Sequence, residues 1–244
     1  MKKILQLISL FISILFTSCN AFYVPSLINT PMFNEKNEAV INSSLGLNGY
    51  NFQGAYSVSN NLAVLSNFRF YSDSSFGYRG QTFNKSYLGE LGVGYFNAID
   101  DYFKIELITG TGFDYNLIHQ KVVPSSWERS VISRKISFFI QPSFGIRAKN
   151  IESIWSLRNY HIGYFLWDNK LNYVGFVEPA YTLRVGFKKF KLFSQVGFCV
   201  PYNLGKAEVL DDITYLNFYS NQYFNLTIGL NYRFRLPNTK KAPQ

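Results

Sequence analysis

Apolar and polar residues alternate along most of this chain with a period of two. In "YFKIELITGTGFDY" one face carries Phe103, Ile105, Leu107, Thr109, Thr111, Phe113 and Tyr115, and the other carries Lys104, Glu106, Ile108, Gly110, Gly112 and Asp114. In "KISFFIQPSFGIR", Ile136, Phe138, Ile140, Pro142, Phe144 and Ile146 oppose Lys135, Ser137, Phe139, Gln141, Ser143, Gly145 and Arg147. In "FNLTIGLNYRF", Phe224, Leu226, Ile228, Leu230, Tyr232 and Phe234 oppose Asn225, Thr227, Gly229, Asn231 and Arg233. This is the strand period, because successive side chains of a strand point to opposite faces. The pattern predicts ten strands, at roughly 39–47, 50–58, 62–71, 85–97, 101–115, 134–147, 152–166, 173–187, 190–201 and 222–234. Tight links follow the even-numbered strands. Longer ones follow the odd-numbered strands, including "SDSSFGYRGQTFNK", "IHQKVVPSSWERSVIS" and "YNLGKAEVLDDITYLNFYSNQ". The first hairpin, around Asn48-Gly49, is the exception and suits a tight turn. The seventh run, "ESIWSLRNYHIGYFLW", keeps no single register, and a bulge near Arg158–Asn159 would restore one. Misreading that run or the first hairpin leaves eight strands as the alternative.

Composition decides which way such a sheet faces. Aromatic residues make up 18% of the chain and charged residues only 16%, against about 25% charged in a soluble domain. No run after residue 18 reaches the roughly 20 apolar residues of a spanning helix. A charge-poor, aromatic-rich chain of alternating runs points to a closed transmembrane β-barrel, all-β and antiparallel, with ten strands. Several runs also exceed the usual soluble strand of about 5–6 residues. A soluble lipid-tethered ligand-binding barrel is the alternative, with its apolar face turned inward. Alternating short turns and long loops place the turns in the periplasm and the loops outside, and an even strand count puts both barrel ends in the periplasm.

The first residues set the compartment. Lys2 and Lys3 precede an apolar run, Ile4–Phe16, that is too short to cross a bilayer, so residues 1–18 read as a secretory signal. "Phe16-Thr17-Ser18-Cys19" resembles a bacterial lipobox, which implies acyl chains on Cys19. Residues 19–38 then form a tether, 39–234 the barrel and 235–244 a periplasmic tail. No acidic cluster follows Cys19, which favours a periplasmic tether. Removing residues 1–18 takes away two lysines, so the formal charge falls from +9 to +7. Lipidated Cys19 leaves Cys199 single, with no disulfide framework.

Two stretches read alike, "QPSFGIR" at Gln141–Arg147 and "EPAYTLR" at Glu178–Arg184. Each puts a proline inside a strand, where it lacks a ladder donor and leaves an unmet carbonyl or forces a bulge. Both prolines fall on the lipid side of the pattern. Gln141, Arg147, Glu178 and Arg184 fall on the lumen side, and the six-residue spacing, about 20 Å, is too long for a direct pair within one strand. Glu90, Glu106 and Asp114 are the candidate partners for the arginines, and Arg69, Lys104, Lys135 and Arg233 for Glu178. Buried charges must be paired, so a mixed-charge network filling the lumen is expected.

From Cys19 onward the chain resembles uncharacterised outer-membrane β-barrel lipoproteins of Bacteroidota. The likeness lies in "YVPSLINTPMF" (Tyr23–Phe33), "FQGAYSVSNNLAVLSNF" (Phe52–Phe68), "FVEPAYTLRVGFKKFKLFSQVGF" (Phe176–Phe198) and a last strand ending in Phe234. That aromatic resembles the signal read by barrel-assembly machinery, although ten residues follow it here. The resemblance implies location and fold, and supplies no activity.

Catalytic chemistry is not visible. His119 and His161 lack a neighbouring triad pattern, Asp211-Asp212 is an adjacent pair in a loop, and no metal-ligand or cofactor spacing occurs. Basic residues are interspersed with acids, which speaks for lipopolysaccharide near the strand ends and against nucleic acid. The expectation is a non-enzymatic outer-membrane barrel with a structural or accessory role, possessing lipid contacts and a place in an envelope protein complex. A small passive channel is the alternative.

Overall fold

The computed structural model describes residues 23–77, 80–122, 128–165, 171–187, 189–203 and 224–237. Residues 1–18, Cys19, Asp211-Asp212 and the tail from residue 238 lie outside them. The strands are β1 (Glu38–Gly46), β2 (Gly49–Ser57), β3 (Leu62–Gly77), β4 (Gly80–Ala98), β5 (Phe103–Val122), β6 (Glu128–Arg147), β7 (Ile151–Phe165), β8 (Leu171–Gly186), β9 (Phe190–Phe198), β10 (Val200–Asn203) and β11 (Phe224–Arg235). Pairing is antiparallel throughout and β11 closes onto β1. β9 and β10 both pair with β8, on one register as far as Pro201 and shifted before Asn203, and form a single barrel strand broken at Cys199. The protein is therefore a closed ten-stranded antiparallel barrel, and the eight-stranded alternative is excluded.

The stretches read as the first two long loops are corrected. β3 pairs with β4 as far as Gly77↔Gly80, and β5 with β6 as far as Lys121↔Glu128. Their outer halves contain Ser, Asn, Lys and Gln on both faces, so the apolar stripe that marks a strand is missing there. The tight hairpins match the pattern. Leu47-Asn48 joins β1 to β2, and Gly49 supplies φ 87°.

Outward positions carry the large apolar side chains, among them Leu91, Val93, Phe113, Phe138, Phe144 and Ile228, all exposed. On β4 this band is bounded by Tyr87 and Tyr95, both exposed. Eight residues span about 26 Å along the strand, or about 20 Å along the axis at a tilt near 40°. The outward charges Lys85 and Lys121 lie beyond the Tyr87–Tyr115 level, and Arg134 lies at it, opposite Tyr115. The ionic groups face inward: Arg69, Glu90, Lys135, Glu152, Arg158, Glu178 and Arg184 are all buried.

Pro142 and Pro179 face outward, and neither causes a bulge. At Pro142 the β6–β7 seam runs Ile140↔Asn159 and resumes at Ser143↔Ser156, missing two rungs without a register change. At Pro179 the seam with the ninth barrel strand runs Val177↔Val200 and resumes at Ala180↔Gly197. Each proline lacks the N–H donor for its interrupted seam, while its other seam stays paired (Leu107↔Pro142, Leu157↔Pro179).

β7 is also in register, with inward positions from Glu152 to Ile162 alternating without a break, so the bulge expected near Arg158–Asn159 is absent. Its pattern looked irregular because Ile154, Tyr160 and Ile162 are inward and apolar. They pack against something apolar inside the barrel.

Candidate functional site

What fills the barrel is the chain's own N-terminal segment. Tyr23–Phe33, expected to be part of a tether, is buried throughout. An eight-stranded barrel is just filled by side chains, and ten strands make the bore about a quarter wider, leaving room for one extended chain. Tyr23 stacks on Tyr160 and Phe176 with centroids 5.4 and 4.5 Å away, and Phe33 meets Phe96 at 5.4 Å. These contacts explain the inward aromatics of β4, β7 and β8.

A backbone placed away from any ladder must find other partners. Nine successive carbonyls of this segment accept hydrogen bonds from side chains of the wall. Arg69 donates to Val24, Asn48 to Pro25 (3.2 Å), Arg158 to Ser26 (3.2 Å), Gln53 to Leu27 (2.7 Å) and Gln195 to Ile28 (3.0 Å). Gln141 donates to Asn29 (2.8 Å), Arg184 to Thr30 (2.7 Å), and Arg233 to Pro31 (2.7 Å) and Met32 (2.9 Å). The segment's N–H groups donate in turn: Leu27 to Asn51 (3.4 Å), Ile28 to Gln195 (2.9 Å) and Met32 to Glu106. Pro25 and Pro31 have no N–H to satisfy. A cavity of about 10 Å³ beside Ser26 and Gln195 has room for about one water.

The twin stretches on β6 and β8 flank β7, and β7 holds their complement. Register sets Gln141 and Glu178 on either side of Arg158, and Arg147 and Arg184 on either side of Glu152. Arg158 Nε lies 2.5 Å from Glu178, and its Nη1 is 3.6 Å from Glu90 and 2.8 Å from Ser26 Oγ. Tyr23 donates its hydroxyl to Glu178 at 2.6 Å. Glu152 receives Arg147 (3.0 Å), Arg184 (3.1 Å), Lys191 (2.8 Å) and Arg233 (3.7 Å). The six-residue spacing therefore recurs on three strands, with the charge order reversed on the middle one.

The expected partners are corrected accordingly. Glu178 pairs with Arg158 and with none of Arg69, Lys104, Lys135 or Arg233. Arg69 and Lys135 approach Asp114 at 3.5 and 3.8 Å, and Arg233 pairs with Glu38 at 3.2 Å. Arg147 and Arg184 use Glu152 in place of Glu90, Glu106 or Asp114. Glu90 accepts from Asn67 (2.8 Å) and Ser26, and Glu106 from the N–H of Met32. Lys104 is buried and has no ion pair within 4 Å among the described residues. Sequence reasoning missed Glu38, Glu152, Arg158 and Lys191. Parity alone would have placed Glu152 and Arg158 inward had β7 been given an unbroken register.

Outside the lumen, cross-strand pairing brings His119 Nδ1 within 2.8 Å of Ser130 Oγ, and Tyr202 reaches over Gly175 of β8 to within 3.0 Å of His161. Both contacts are exposed. Among the described residues no cluster of three His, Cys, Asp or Glu could hold a metal.

No protein-family model matches the chain, and no curated protein matches it. Among solved structures the chain is similar to Ail, the attachment invasion locus protein of Yersinia pestis. That match has 12% identity and a TM-score of 0.35 over 82% of this chain and 99% of that one. It is also similar to a loop-deletion mutant of OmpT, an outer membrane protein of Vibrio cholerae, at 9% identity and TM-score 0.29 over 81% and 98%. Acinetobacter baumannii CarO is similar at 8% identity and TM-score 0.27 over 82% and 98%. At these TM-scores none of the three bears on this barrel's activity.

Proposed function

We propose that the chain is an integral outer-membrane β-barrel that is closed by its own N-terminal segment and serves a non-enzymatic, structural or accessory role in the cell envelope. The observation that carries this reading is the occupied bore: nine successive carbonyls of Val24–Met32 are held by wall side chains. The exposed apolar band between tyrosines supports burial in lipid, and charges beyond it suit lipopolysaccharide head groups. Cys19 would carry a lipid after signal cleavage, and Phe234 would be presented to barrel-assembly machinery. The partner is a second protein of the envelope, reached through the parts of β3–β6 that project past the Tyr87–Tyr115 level. Two measurements test the reading. Alkaline carbonate should leave the protein in the membrane pellet, and release to the supernatant would rule out an integral barrel. In planar bilayers the purified protein should show no steady open level, and a stable conductance would rule out a closed bore.

A further inference from the structure

We propose that the N-terminal segment crosses the bore from the loop end to the turn end, so that the chain's two ends leave the barrel at opposite rims. On the outer-membrane reading above, on which this rests, the residues before Tyr23, Cys19 among them, are then displayed at the cell surface, while the C-terminus stays periplasmic.

The order of contacts fixes the direction. Val24 meets Arg69, seven residues from the turn end of β3, and Pro25 meets Asn48, in the hairpin at the loop end of β1. Farther along, Thr30 meets Arg184 and Met32 meets Arg233, each two residues from the turn end of its strand. Each residue in between is held at an intermediate level. Met32, at φ 51°, turns the chain out of the bore, and Leu236 N donates to Asn37 at 2.9 Å, so the C-terminal end leaves beside that same turn.

Length excludes a return path. Tyr23 stacks on Tyr160, nine residues above Ile151 at the turn end of β7. That height is about 30 Å along the strand, or about 23 Å along the axis at a tilt near 40°. Cys19 lies four steps of chain before Tyr23, a reach of at most about 14 Å. The bore below Tyr23 is already filled by the rest of the segment. A lipid on Cys19 would therefore enter the leaflet on the loop side, opposite to the periplasmic tether expected from the missing acidic cluster.

The test uses whole cells and two epitope-tagged full-length chains, one tagged after Asn20 and the other after Gln244. An antibody should label the first in intact cells and the second only after the outer membrane is permeabilised. Labelling of both only after permeabilisation overturns the proposal. If the inserted epitope prevents assembly, Ala21→Cys with a membrane-impermeant maleimide gives the same readout. A separate measurement isolates the occupied bore: with Cys199→Ala, Asn29→Cys and Asn67→Cys should be joined by a short thiol cross-linker, since the native side chains meet at 2.9 Å. Cross-linking together with a periplasmic N-terminus would sink the direction alone, whereas no cross-link would sink the occupied bore as well.

Discussion

Arg158 is sealed from solvent and sits between two carboxylates, a serine and the ring of Tyr160, whose centroid is 4.7 Å from its guanidinium carbon. Charges this deep are tolerated only in company. Removing one member of a buried pair costs about 3–5 kcal/mol, while replacing both by apolar or neutral groups is often near neutral. Arg158→Met should therefore lower the urea midpoint of the folded, heat-modifiable barrel in lipid vesicles, because Glu178 and Glu90 lose their cation. Adding Glu178→Gln should recover part of that loss, and equal midpoints for the single and double variants would contradict the pairing. Outside the band, Asp100 accepts the N–H groups of Phe103 (2.6 Å) and Tyr102 (2.7 Å) in the exposed β4–β5 turn, and these bonds hold its carboxyl below the usual range. A depressed pKa in the folded state means that this contribution is complete above the unperturbed value of about 3.9 and fades as pH falls through the folded value. Carboxyl-carbon NMR should give Asp100 a midpoint below that of a disordered aspartate; a normal midpoint would mean the turn bonds do not form. At this scale the sequence was readable wherever parity was unambiguous, so Glu90, Asp114, Gln141, Glu178 and Arg184 could be placed inward. It could not name their partners, because cross-strand neighbours depend on register, and the register of β7 was obscured by Ile154, Tyr160 and Ile162, which face the barrel interior that the N-terminal segment fills.

Among the elements, the proline-bearing strands show how a closed sheet tolerates a missing donor. Pro142 and Pro179 each interrupt one seam beside Arg158, and the flanking rungs hold the register on both sides. Restoring the donor should help, since a net hydrogen bond contributes about 0.5–1.5 kcal/mol. Pro142→Val, on an outward position, should raise the unfolding free energy by an amount in that range, read as a higher urea midpoint, and protect the new amide from hydrogen exchange. An unprotected amide would mean that Leu157's carbonyl is engaged elsewhere. The same reasoning explains which elements were legible. Within the lipid band one face must be apolar and the other polar, so strand existence and the count of ten could be read directly. Beyond the band polar residues stand on both faces, Asn84, Ser86 and Asn116 inward and Lys85 and Lys121 outward, so the constraint lapses and strand looks like loop. The segment Tyr23–Phe33 carries no period at all, since it is satisfied by side chains of nearly every strand around it; its two prolines and its aromatic ends were the only visible signals.

For the whole molecule, the question is whether the bore is closed by the wall or by the segment. Inward cations in the network are Arg69, Lys104, Lys135, Arg147, Arg158, Arg184, Lys191 and Arg233, and inward acids are Glu38, Glu90, Glu106, Asp114, Glu152 and Glu178. Among the described residues of this network, with every group ionised, eight against six leaves an excess of two positive charges. Four of those arginines also donate to segment carbonyls, and without the segment those donors face water. A variant lacking residues 23–33 should therefore conduct in planar bilayers where the intact chain does not. A potassium chloride gradient should give a reversal potential favouring chloride, because a low-dielectric bore with a positive lining concentrates anions. A peptide of residues 23–33 added to the loop side should close the opened variant, since every carbonyl donor it needs remains on the wall. A deletion variant that assembles, shifts on heating and still shows no open level would mean that the wall's own side chains seal the bore. The segment would then be cargo in an already closed barrel and would not be its plug.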